Sequence, residues 1–375
     1  MSEDHPPSVA CLKSVFLPLS EALIAQQLLA MRRYAPLVLA RSLRDAQGLP
    51  AEAIRSLGGL GLPARAFNRL AFALGRRLPF FEAQVRQEGC RLIHALSGRE
   101  GPWGASLKAR CRLPLVTTFQ GADVALPRRD PQPYARLFAA GDLFLVEAEA
   151  ARKELLGLGC PELRLRVHHR GVDLERIPYA ERRVEGNGPV NVLLGGRMVE
   201  RKGIPYALQA FSMLRRYRRQ VTLTLIGDGP MRPKIESLAK ELGLSDVRLL
   251  GAQPHETVVA EMQRAHVYIQ PSLRAADGDV EGIPTALIEA QASGLPVISS
   301  WHSGIPELVA DGRSGYLISE RDTHALTERM RHLVEHPELW GPMGRAGRSI
   351  VEIGFDLRRQ TDALEGLYDG LLASS

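Results

Sequence analysis

The sequence predicts an α/β protein of two facing Rossmann-like βαβ domains with a central cleft. Short apolar runs alternate with helical patterns along nearly all of the 375 residues. Such runs are typical of parallel strands that helices cover on both faces. The length suits two domains. The alternation is interrupted once, at 174–189, where charged residues, two prolines and Gly-Asn-Gly indicate a linker.

The predicted strands follow in chain order. In the first domain, residues 1–173, they lie at 8–16, 36–40, 90–95, 114–119, 142–146 and 164–168. In the second domain, residues 190–352, they lie at 190–196, 221–226, 247–251, 266–270, 295–299 and 315–318. Helical periodicity is clear at 204–217, 232–242 and, as a closing helix, 355–370. Because open parallel sheets bind ligands at the carboxyl ends of their strands, we expect functional residues in the loops that follow strands.

Composition narrows the class of partner. A net charge of +6 suits nucleic acid, an anionic membrane surface or a phosphorylated substrate. No nucleic-acid-binding signature accompanies the charge, which disfavours the first. The four cysteines are far apart and indicate a reducing compartment, not a zinc site. The N-terminus is acidic, unlike a signal peptide, and no apolar run approaches the roughly 18 residues of a membrane span, so we expect a cytoplasmic protein.

Two glycine-containing loops follow consecutive strands of the second domain. In LLGGRMVERKG (193–203), a strand ends at Gly195-Gly196, and Arg197 and Lys202 precede a helix. Free backbone amides, a helix N-terminus and two cations suit a phosphate group. In LIGDGPMRPKI (225–235), Gly227 and Gly229 allow close backbone approach. Taken singly, the first loop is equally well a solvated basic loop, and the second a tight turn.

The stretch DGDVEGIPTALIEA (277–290) holds two glutamates around a Gly-Ile-Pro turn. Pro284 is suited to start a helix, which would place Thr285 and Glu289 on one face. Glu281 precedes the turn. The alternative is that Glu281 complements the helix dipole and Glu289 is a surface residue. An alanine-rich apolar segment disfavours a surface position for Glu289.

These segments resemble the retaining nucleotide-sugar glycosyltransferases of family 4, which have the GT-B fold. The resemblance rests on GGRMVERKG, IGDGP, VEGIPTALIEAQASGLPVISS and HSGIPELVADGRSGYLI, in this order. FLPLSEALIAQQ (16–27), IHALSG (93–98), LPLVTTFQGADV (113–124) and VHHRGVDL (167–174) resemble the branch that makes exopolysaccharides of the colanic-acid type. In this fold, a C-terminal helix such as 353–375 packs back on the N-terminal domain.

The resemblance implies a role for each motif. Glu281 would lie near the reacting sugar, and Glu289 would hold the nucleotide ribose. Arg197 and Lys202 would hold the diphosphate. The remaining donor-binding positions would be Gly196, Gly227, Gly229, Gly282, Ile283, Pro284 and Thr285. The reaction would retain anomeric configuration without a metal or other cofactor, so Asp277-Gly278-Asp279 would be a loop that contacts sugar or acceptor and not a metal site.

The N-terminal domain departs from the family at one position. Relatives typically place a histidine before the glycine of the segment that here contains Gln120 and Asp123. Glutamine donates and accepts hydrogen bonds, but it cannot become charged or transfer protons. Any acid–base role that the histidine has in relatives is therefore in doubt at Gln120. His94 is either a residue of the acceptor or sugar side or a satisfied core histidine.

A membrane contact is a further expectation. Arg32-Arg33, Arg76-Arg77 and Arg86 accompany the apolar stretch Leu78–Phe81. Basic residues beside exposed aromatics suit anionic headgroups. The alternative is a solvated helix face with Phe80 and Phe81 in the core.

Together these features predict a transferase that moves a hexose-type sugar from a nucleotide diphosphate to a polysaccharide or lipid-linked acceptor. Alternatives are a nucleotide-sugar epimerase or hydrolase on the same fold, and a catalytically silent sugar-nucleotide-binding subunit, for which Gln120 is the hint. The base, the sugar and the linkage do not follow from the sequence.

Overall fold

The structure, a computed structural model, describes residues 6–16, 22–46, 48–75, 77–121, 123, 132–183, 188–217, 220–244 and 247–374. They form two compact units. One comprises Met1–Gly171 with Leu357–Ser375, and the other comprises Val172–Asp356. The corresponding limits predicted from the sequence are 173 and 352.

The first unit contains a parallel sheet of seven strands in the order β3-β2-β1-β4-β5-β6-β7. Its strands are β1 (Ser8–Phe16), β2 (Ala35–Leu43), β3 (Ile54–Ser56), β4 (Leu92–Ala95), β5 (Leu115–Phe119), β6 (Leu143–Val146) and β7 (Leu165–Val167). Its helices are α1 (Ala22–Ala30), α2 (Leu62–Gly75), α3 (Pro79–Gln87), α4 (Gly101–Cys111), α5 (Gln132–Ala140) and α6 (Glu149–Gly157). Alternate residues of β1 enter two cores, Ala10 and Leu12 on one side and Val9 and Cys11 on the other. Burial of both faces explains the continuous apolar run.

The second unit contains a parallel sheet of six strands in the order β10-β9-β8-β11-β12-β13. Its strands are β8 (Val190–Gly195), β9 (Val221–Ile226), β10 (Arg248–Leu249), β11 (Val267–Gln270), β12 (Val297–Ser300) and β13 (Gly315–Ile318). Its helices are α7 (Ile204–Tyr217), α8 (Arg232–Glu241), α9 (His255–Arg264), α10 (Thr285–Ala292), α11 (Ile305–Leu308), α12 (Thr323–Glu335) and α13 (Trp340–Gly354). Both faces of β8 are again buried, which leaves the strand ends as the place for polar chemistry.

The last helix, α14 (Leu357–Ala373), packs on the first unit. Leu364 and Tyr368 enter the core beside β1. The buried Glu365 carboxylate accepts hydrogen bonds from the backbone N–H groups of Arg32, Arg33 and Tyr34, at 2.9, 2.7 and 3.2 Å. The helix is therefore held by apolar burial and by one carboxylate that satisfies three backbone donors.

Every strand that we predict from the sequence occurs within a few residues of its expected position. The three-residue strand β3 is additional. It is too short for a recognisable pattern and pairs only along the edge of the sheet with β2.

The expectation of exposed aromatics at 78–81 is wrong. Phe81 is buried and stacks on Trp103 with ring centroids 5.7 Å apart, and Phe80 packs against the same core. Leu78 is also buried. Arg76 lies outside the described residues. None of the helices that the structure describes combines the length and apolar character that a bilayer crossing needs.

Candidate functional site

The candidate site lies at the carboxyl ends of the strands of the second sheet. β8 pairs with β9 on one side and with β11 on the other, so the strand order reverses direction next to β8. This topological switch point is where open α/β sheets bind ligands. The three loops singled out from the sequence follow β8, β9 and β11.

The loop after β8 is shaped by a glycine that no other residue could replace without strain. Gly203 has φ +65°, and a Cβ there would lie 1.9 Å from the carbonyl oxygen of Pro271, which follows β11. Just before it, Glu200–Lys202 form a short 3₁₀ turn. The turn brings Lys202 into a buried position, whereas Arg197 is exposed. Arg197 has no ion-pair partner among the residues that the structure describes.

The loop after β9 packs directly on the loop after β8. Gly227 has φ +135°, and a Cβ there would lie 1.9 Å from the carbonyl oxygen of Gly196. The Met198 N–H donates to the Asp228 carbonyl at 2.8 Å. A Cβ on Gly229 would lie 2.6 Å from the carbonyl oxygen of Met198. The close approach that these glycines allow is therefore between the two loops.

Glu281 is the centre of a buried charge cluster. Its carboxylate lies 2.6 Å from Arg201 Nε and 3.2 Å from Lys202 Nζ. Burial alone would raise the pKa of Glu281, but the charges of Lys202 and Arg201 outweigh it and hold that pKa below its ordinary value. Glu281 is thus an ionised carboxylate at neutral pH, kept so by two cations from the neighbouring loop.

The Asp277-Gly278-Asp279 segment forms a hydrogen-bonded turn. The Asp279 N–H donates to the Asp277 side chain at 2.9 Å, and Gly278 has φ +87°. The Asp279 carboxylate accepts from the Arg201 guanidinium. Arg201 thereby joins both ends of the loop segment 279–281 to the loop after β8. The described part of the chain contains no group of three or more His, Cys, Asp or Glu side chains arranged to hold a metal ion.

A histidine after β12 holds the backbone of the same segment. The Glu281 N–H donates to His302 Nε2 at 3.2 Å, while His302 Nδ1 lies 2.6 Å from the Glu320 carboxylate. His302 Nε2 thus serves as the acceptor for the Glu281 main chain, and Nδ1 is the ring nitrogen that faces the Glu320 carboxylate. Main chain and side chain of Glu281 are therefore fixed from two different loops.

The helix α10 begins at Thr285, directly after Pro284, as expected from the sequence. No side chain caps its first turn, which leaves backbone N–H groups toward the Gly282-Ile283 turn without an intrahelical partner. One turn further, the buried Glu289 carboxylate lies 2.9 Å from His255 Nε2 on α9. The hydrogen bond to Glu289 raises the pKa of His255.

The first unit holds the remaining predicted residues. Asp123 is buried, and one of its carboxylate oxygens accepts from the backbone N–H groups of Gly98 and Gln120, at 2.8 and 3.0 Å. Burial raises the pKa of Asp123 to about 6. The Gln120 side-chain amide donates to the Leu96 carbonyl at 3.1 Å. Both side chains thus connect the loops that follow β4 and β5.

His94 lies in the interior of the first unit. It is buried, with Nδ1 2.6 Å from the Tyr368 hydroxyl and Nε2 2.7 Å from Thr118 Oγ1. Burial lowers the pKa of His94 to about 3. A neutral ring with both nitrogens engaged favours the core alternative for His94, and a contact with acceptor or sugar stays a prediction.

Three residues of the charge cluster were not predicted from the sequence. They are Arg201, His302 and Glu320. Arg201 lies between Arg197 and Lys202, which were singled out, and His302 is the first residue of the HSGIPEL motif. Both positions are thus weakly indicated by the sequence. Their partners are far along the chain, with 80 positions between Arg201 and Glu281, and no local pattern reports such pairs.

Two family models match the chain. "Glycosyltransferase Family 4" matches residues 23–176, and "Glycosyl transferases group 1" matches residues 180–350. The amylovoran biosynthesis glycosyltransferase AmsK of Erwinia amylovora is 35% identical over 64% of this chain and 60% of its own length. The putative colanic acid biosynthesis glycosyltransferase WcaL of Escherichia coli is 35% identical over 68% of this chain and 64% of its own length. The chain thus spans less than two thirds of the length of the curated relatives it matches.

Solved structures share the fold. The Anabaena protein Alr3699/HepE, in complex with UDP and glucose, superposes with a TM-score of 0.75 at 18% identity, over 96% of this chain and 99% of its own. A glycosyltransferase from Rickettsia africae superposes with a TM-score of 0.80 at 16% identity, over 99% of this chain and 100% of its own. The two parallel-sheet units are those of the GT-B fold.

Proposed function

The chain belongs to the family 4, group 1 glycosyltransferases, and on this premise we propose that it transfers a hexose-type sugar from a nucleotide diphosphate to a polysaccharide or lipid-linked oligosaccharide. The transfer retains anomeric configuration, requires no metal, and serves exopolysaccharide synthesis. It takes place in the cytoplasm, with peripheral contact to a membrane. The observation that carries the proposal is the ionised, buried Glu281 between Arg201 and Lys202 at the switch point of the second sheet.

The cations at this edge suit a leaving diphosphate. When the anomeric C–O bond breaks, negative charge grows on the diphosphate oxygens. Arg197 is an exposed residue of the loop after β8, and the uncapped first turn of α10 supplies backbone N–H groups and the positive end of its dipole. Groups fixed in place before the reaction stabilise the transition state without reorganisation, which is the larger part of such catalysis.

Glu281 contributes charge on the sugar side. A carboxylate held below its ordinary pKa stays ionised at neutral pH and stabilises a positively charged, oxocarbenium-like anomeric centre. Lys202 lies at 3.2 Å from this carboxylate, so a diphosphate that Lys202 binds would be adjacent to Glu281. The pair thus couples the leaving group to the reacting sugar.

Glu289 is suited to the ribose. Its carboxylate has oxygens that accept hydrogen bonds from two neighbouring hydroxyl groups, and His255 holds it at 2.9 Å. The proposal of a nucleotide-sugar donor gains support from the Anabaena structure, which was solved with UDP and glucose. The names of AmsK and WcaL support an exopolysaccharide acceptor.

Gln120 favours one alternative, a silent subunit that binds a sugar nucleotide without transfer. Its side-chain amide donates a hydrogen bond to the Leu96 carbonyl and cannot become charged or transfer a proton. The intact set of Arg197, Lys202, Glu281 and Glu289 favours the enzyme.

A transfer assay distinguishes the alternatives. The full chain is incubated with each of a panel of nucleotide-diphosphate sugars, with and without a membrane extract that contains lipid-linked saccharides. The proposal expects release of the nucleotide diphosphate together with incorporation of sugar into the lipid or polysaccharide fraction, only when extract is present. Release without acceptor indicates a hydrolase, and no release with any donor indicates a silent subunit; Glu281→Gln serves as the inactive control.

A further inference from the structure

The buried carboxylate of Glu289 has one occupied oxygen and one open oxygen. Oε1 lies 2.9 Å from Nε2 of His255, the first residue of α9. Oε2 has no hydrogen-bond partner among the residues that the structure describes. The side chain is 10% exposed, and its helix neighbours Leu287, Ile288 and Ala290 belong to the core. Because a buried carboxylate is costly unless it is hydrogen-bonded, Oε2 is a free acceptor suited to a ligand.

The position of this carboxylate on α10 suits a nucleotide. Glu289 is four residues, or about 6 Å along the axis, from Thr285 at the start of the helix. Side chains on a helix lean toward its N-terminus, where the first turn has backbone N–H groups without an intrahelical partner. A nucleotide whose phosphate binds these N–H groups would therefore bring its ribose toward Glu289.

We propose that His255 positions Glu289 for the ribose and thereby gives the donor site a preference for ribonucleotides over 2′-deoxyribonucleotides, an inference that rests on the proposed nucleotide-sugar donor. Because a carboxylate only accepts hydrogen bonds, His255 Nε2 is the donor of the pair. This bond orients the carboxylate before the ligand arrives, which reduces the ordering that binding requires. A ribose hydroxyl then donates to Oε2, whereas a 2′-deoxyribose leaves a buried acceptor unpaired.

The charges around His255 make this role depend on pH. Charged groups face the ring from α9, from α10 and from the segment after Val172; they are Glu256, Glu289 and Arg176. The hydrogen bond to Glu289 raises the pKa of His255 above its ordinary value, with help from both glutamate charges and against burial and Arg176. As pH rises through this pKa, the ring loses its charge and the bond to Glu289 weakens. The preference for ribose should therefore decrease as pH rises.

The alternative is that His255 only compensates a buried charge. Its loss would then weaken the binding of ribonucleotides and deoxyribonucleotides alike, through a less ordered site. His336 provides a matched control, because its Nδ1 lies 2.9 Å from the Glu338 carboxylate in a second histidine–glutamate pair of the same unit. That pair lies at the C-terminal end of α12, away from the loops that follow strands.

Calorimetry with matched pairs of nucleotides tests the proposal. The full chain is titrated at pH 7 with UDP and 2′-deoxy-UDP, GDP and 2′-deoxy-GDP, and ADP and 2′-deoxy-ADP. The unmodified chain should bind the ribonucleotide of one pair at least about tenfold more tightly than its deoxy analogue. His255→Ala should raise the dissociation constant of that ribonucleotide about fivefold or more and change that of the analogue by less than about twofold.

A conservative variant and a pH series add a readout that a structural role would not change. His255→Gln keeps an amide donor in place of Nε2 and should retain most of the preference at pH 7. Between pH 6 and pH 8 the preference should decrease in the unmodified chain and in His336→Gln, and stay constant in His255→Gln. The two members of a pair ionise alike at their phosphates, so the ratio of their affinities reports the protein.

The outcomes separate this inference from the proposed function. If a nucleotide binds but the unmodified chain does not distinguish ribose from deoxyribose, or if His255→Ala leaves the ratio unchanged, the role of His255 is wrong and the donor site stands. Equal weakening of both members by His255→Ala would make His255 a structural partner only. If none of the nucleotides binds, the proposed donor site fails and the inference fails with it. Thermal unfolding of every variant confirms that the fold is retained.

Discussion

Lys202 and Glu281 form a buried ion pair, with Nζ 3.2 Å from Oε1, between two loops that follow adjacent strands of one parallel sheet. Their side chains are 9% and 8% exposed. Arg201, the neighbour of Lys202, bonds the same carboxylate. The Glu281 carboxylate thus holds two loops of the candidate site together, as does the Asp279 carboxylate through Arg201.

Replacing Lys202 by methionine should destabilise the second unit and impair transfer. The variant leaves a buried carboxylate with Arg201 alone, and breaking a buried pair costs several kcal/mol when no partner remains. With Arg201 still present, we expect a loss of about 2 kcal/mol in the free energy of unfolding. Urea denaturation measures it, and the double variant with Glu281→Gln should recover part of the loss. Equal losses in the single and double variants would contradict the coupling.

The variant Arg201→Lys should distinguish a role of Arg201 in positioning the Glu281 loop from a role in binding the nucleotide diphosphate. The guanidinium contacts both Glu281 and Asp279, and a lysine ammonium lacks the fork needed for both. We expect kcat to fall about tenfold because the Glu281 loop is no longer fixed, while the dissociation constant for the nucleotide diphosphate stays within about twofold. Steady-state kinetics and calorimetry measure the two quantities. A large loss of nucleotide affinity would show that Arg201 binds the donor directly.

His94 should make stability depend on pH. Its pKa is lowered to about 3 in the folded state, from an ordinary value of 6.5. The unfolded chain therefore binds more protons between these values, and stability falls as pH falls below 6.5. His94→Gln removes this dependence and keeps hydrogen-bonding capacity for Tyr368 and Thr118. Unfolding curves between pH 7 and pH 5 should show a smaller decline for the variant; identical slopes would contradict the buried neutral ring.

Glu365→Ala should loosen the last helix from the first unit. Three backbone N–H groups, those of Arg32, Arg33 and Tyr34, would lose their acceptor. Because the carboxylate is 1% exposed, we expect about 3 kcal/mol of destabilisation. Hydrogen exchange at these three amides and urea denaturation report the effect. Glu352→Ala, on the exposed side of α13, is the control and should change stability by less than about 0.5 kcal/mol.

The sequence was sufficient to predict the strands of both sheets because these strands are buried on both faces. Runs such as 143–146 and 315–318 are continuous and apolar, and helical periodicity separates the strands. The start of α10 after Pro284 followed from a local rule for proline at helix starts. β3 was not predicted because its three residues, Ile-Arg-Ser, are too few to show the alternation of a strand.

The sequence placed the motif residues at the strand ends of the second sheet, but it did not predict the contacts between them, and their functional roles stay predictions. Arg197, Lys202, Glu281 and Glu289 were singled out from motifs, whereas the bonds from Arg201 and His302 to Glu281 join distant loops. The direction of α2 is a further example. Its stripe of Phe67, Leu70 and Leu74 is visible as a period, but which side faces solvent depends on the bond between Asn68 and Phe80.

The most direct test of the central claim is thermal unfolding with UDP, GDP, ADP and dTDP, for the unmodified chain, for Arg197→Ala and for the control Arg183→Ala. A ligand at 100 times its dissociation constant adds about 2.7 kcal/mol of stability. The account predicts that one nucleotide stabilises the unmodified chain and the control, and that its effect largely disappears in Arg197→Ala. No stabilisation at millimolar concentration, or equal stabilisation of all three proteins, would contradict a diphosphate site at the loop after β8.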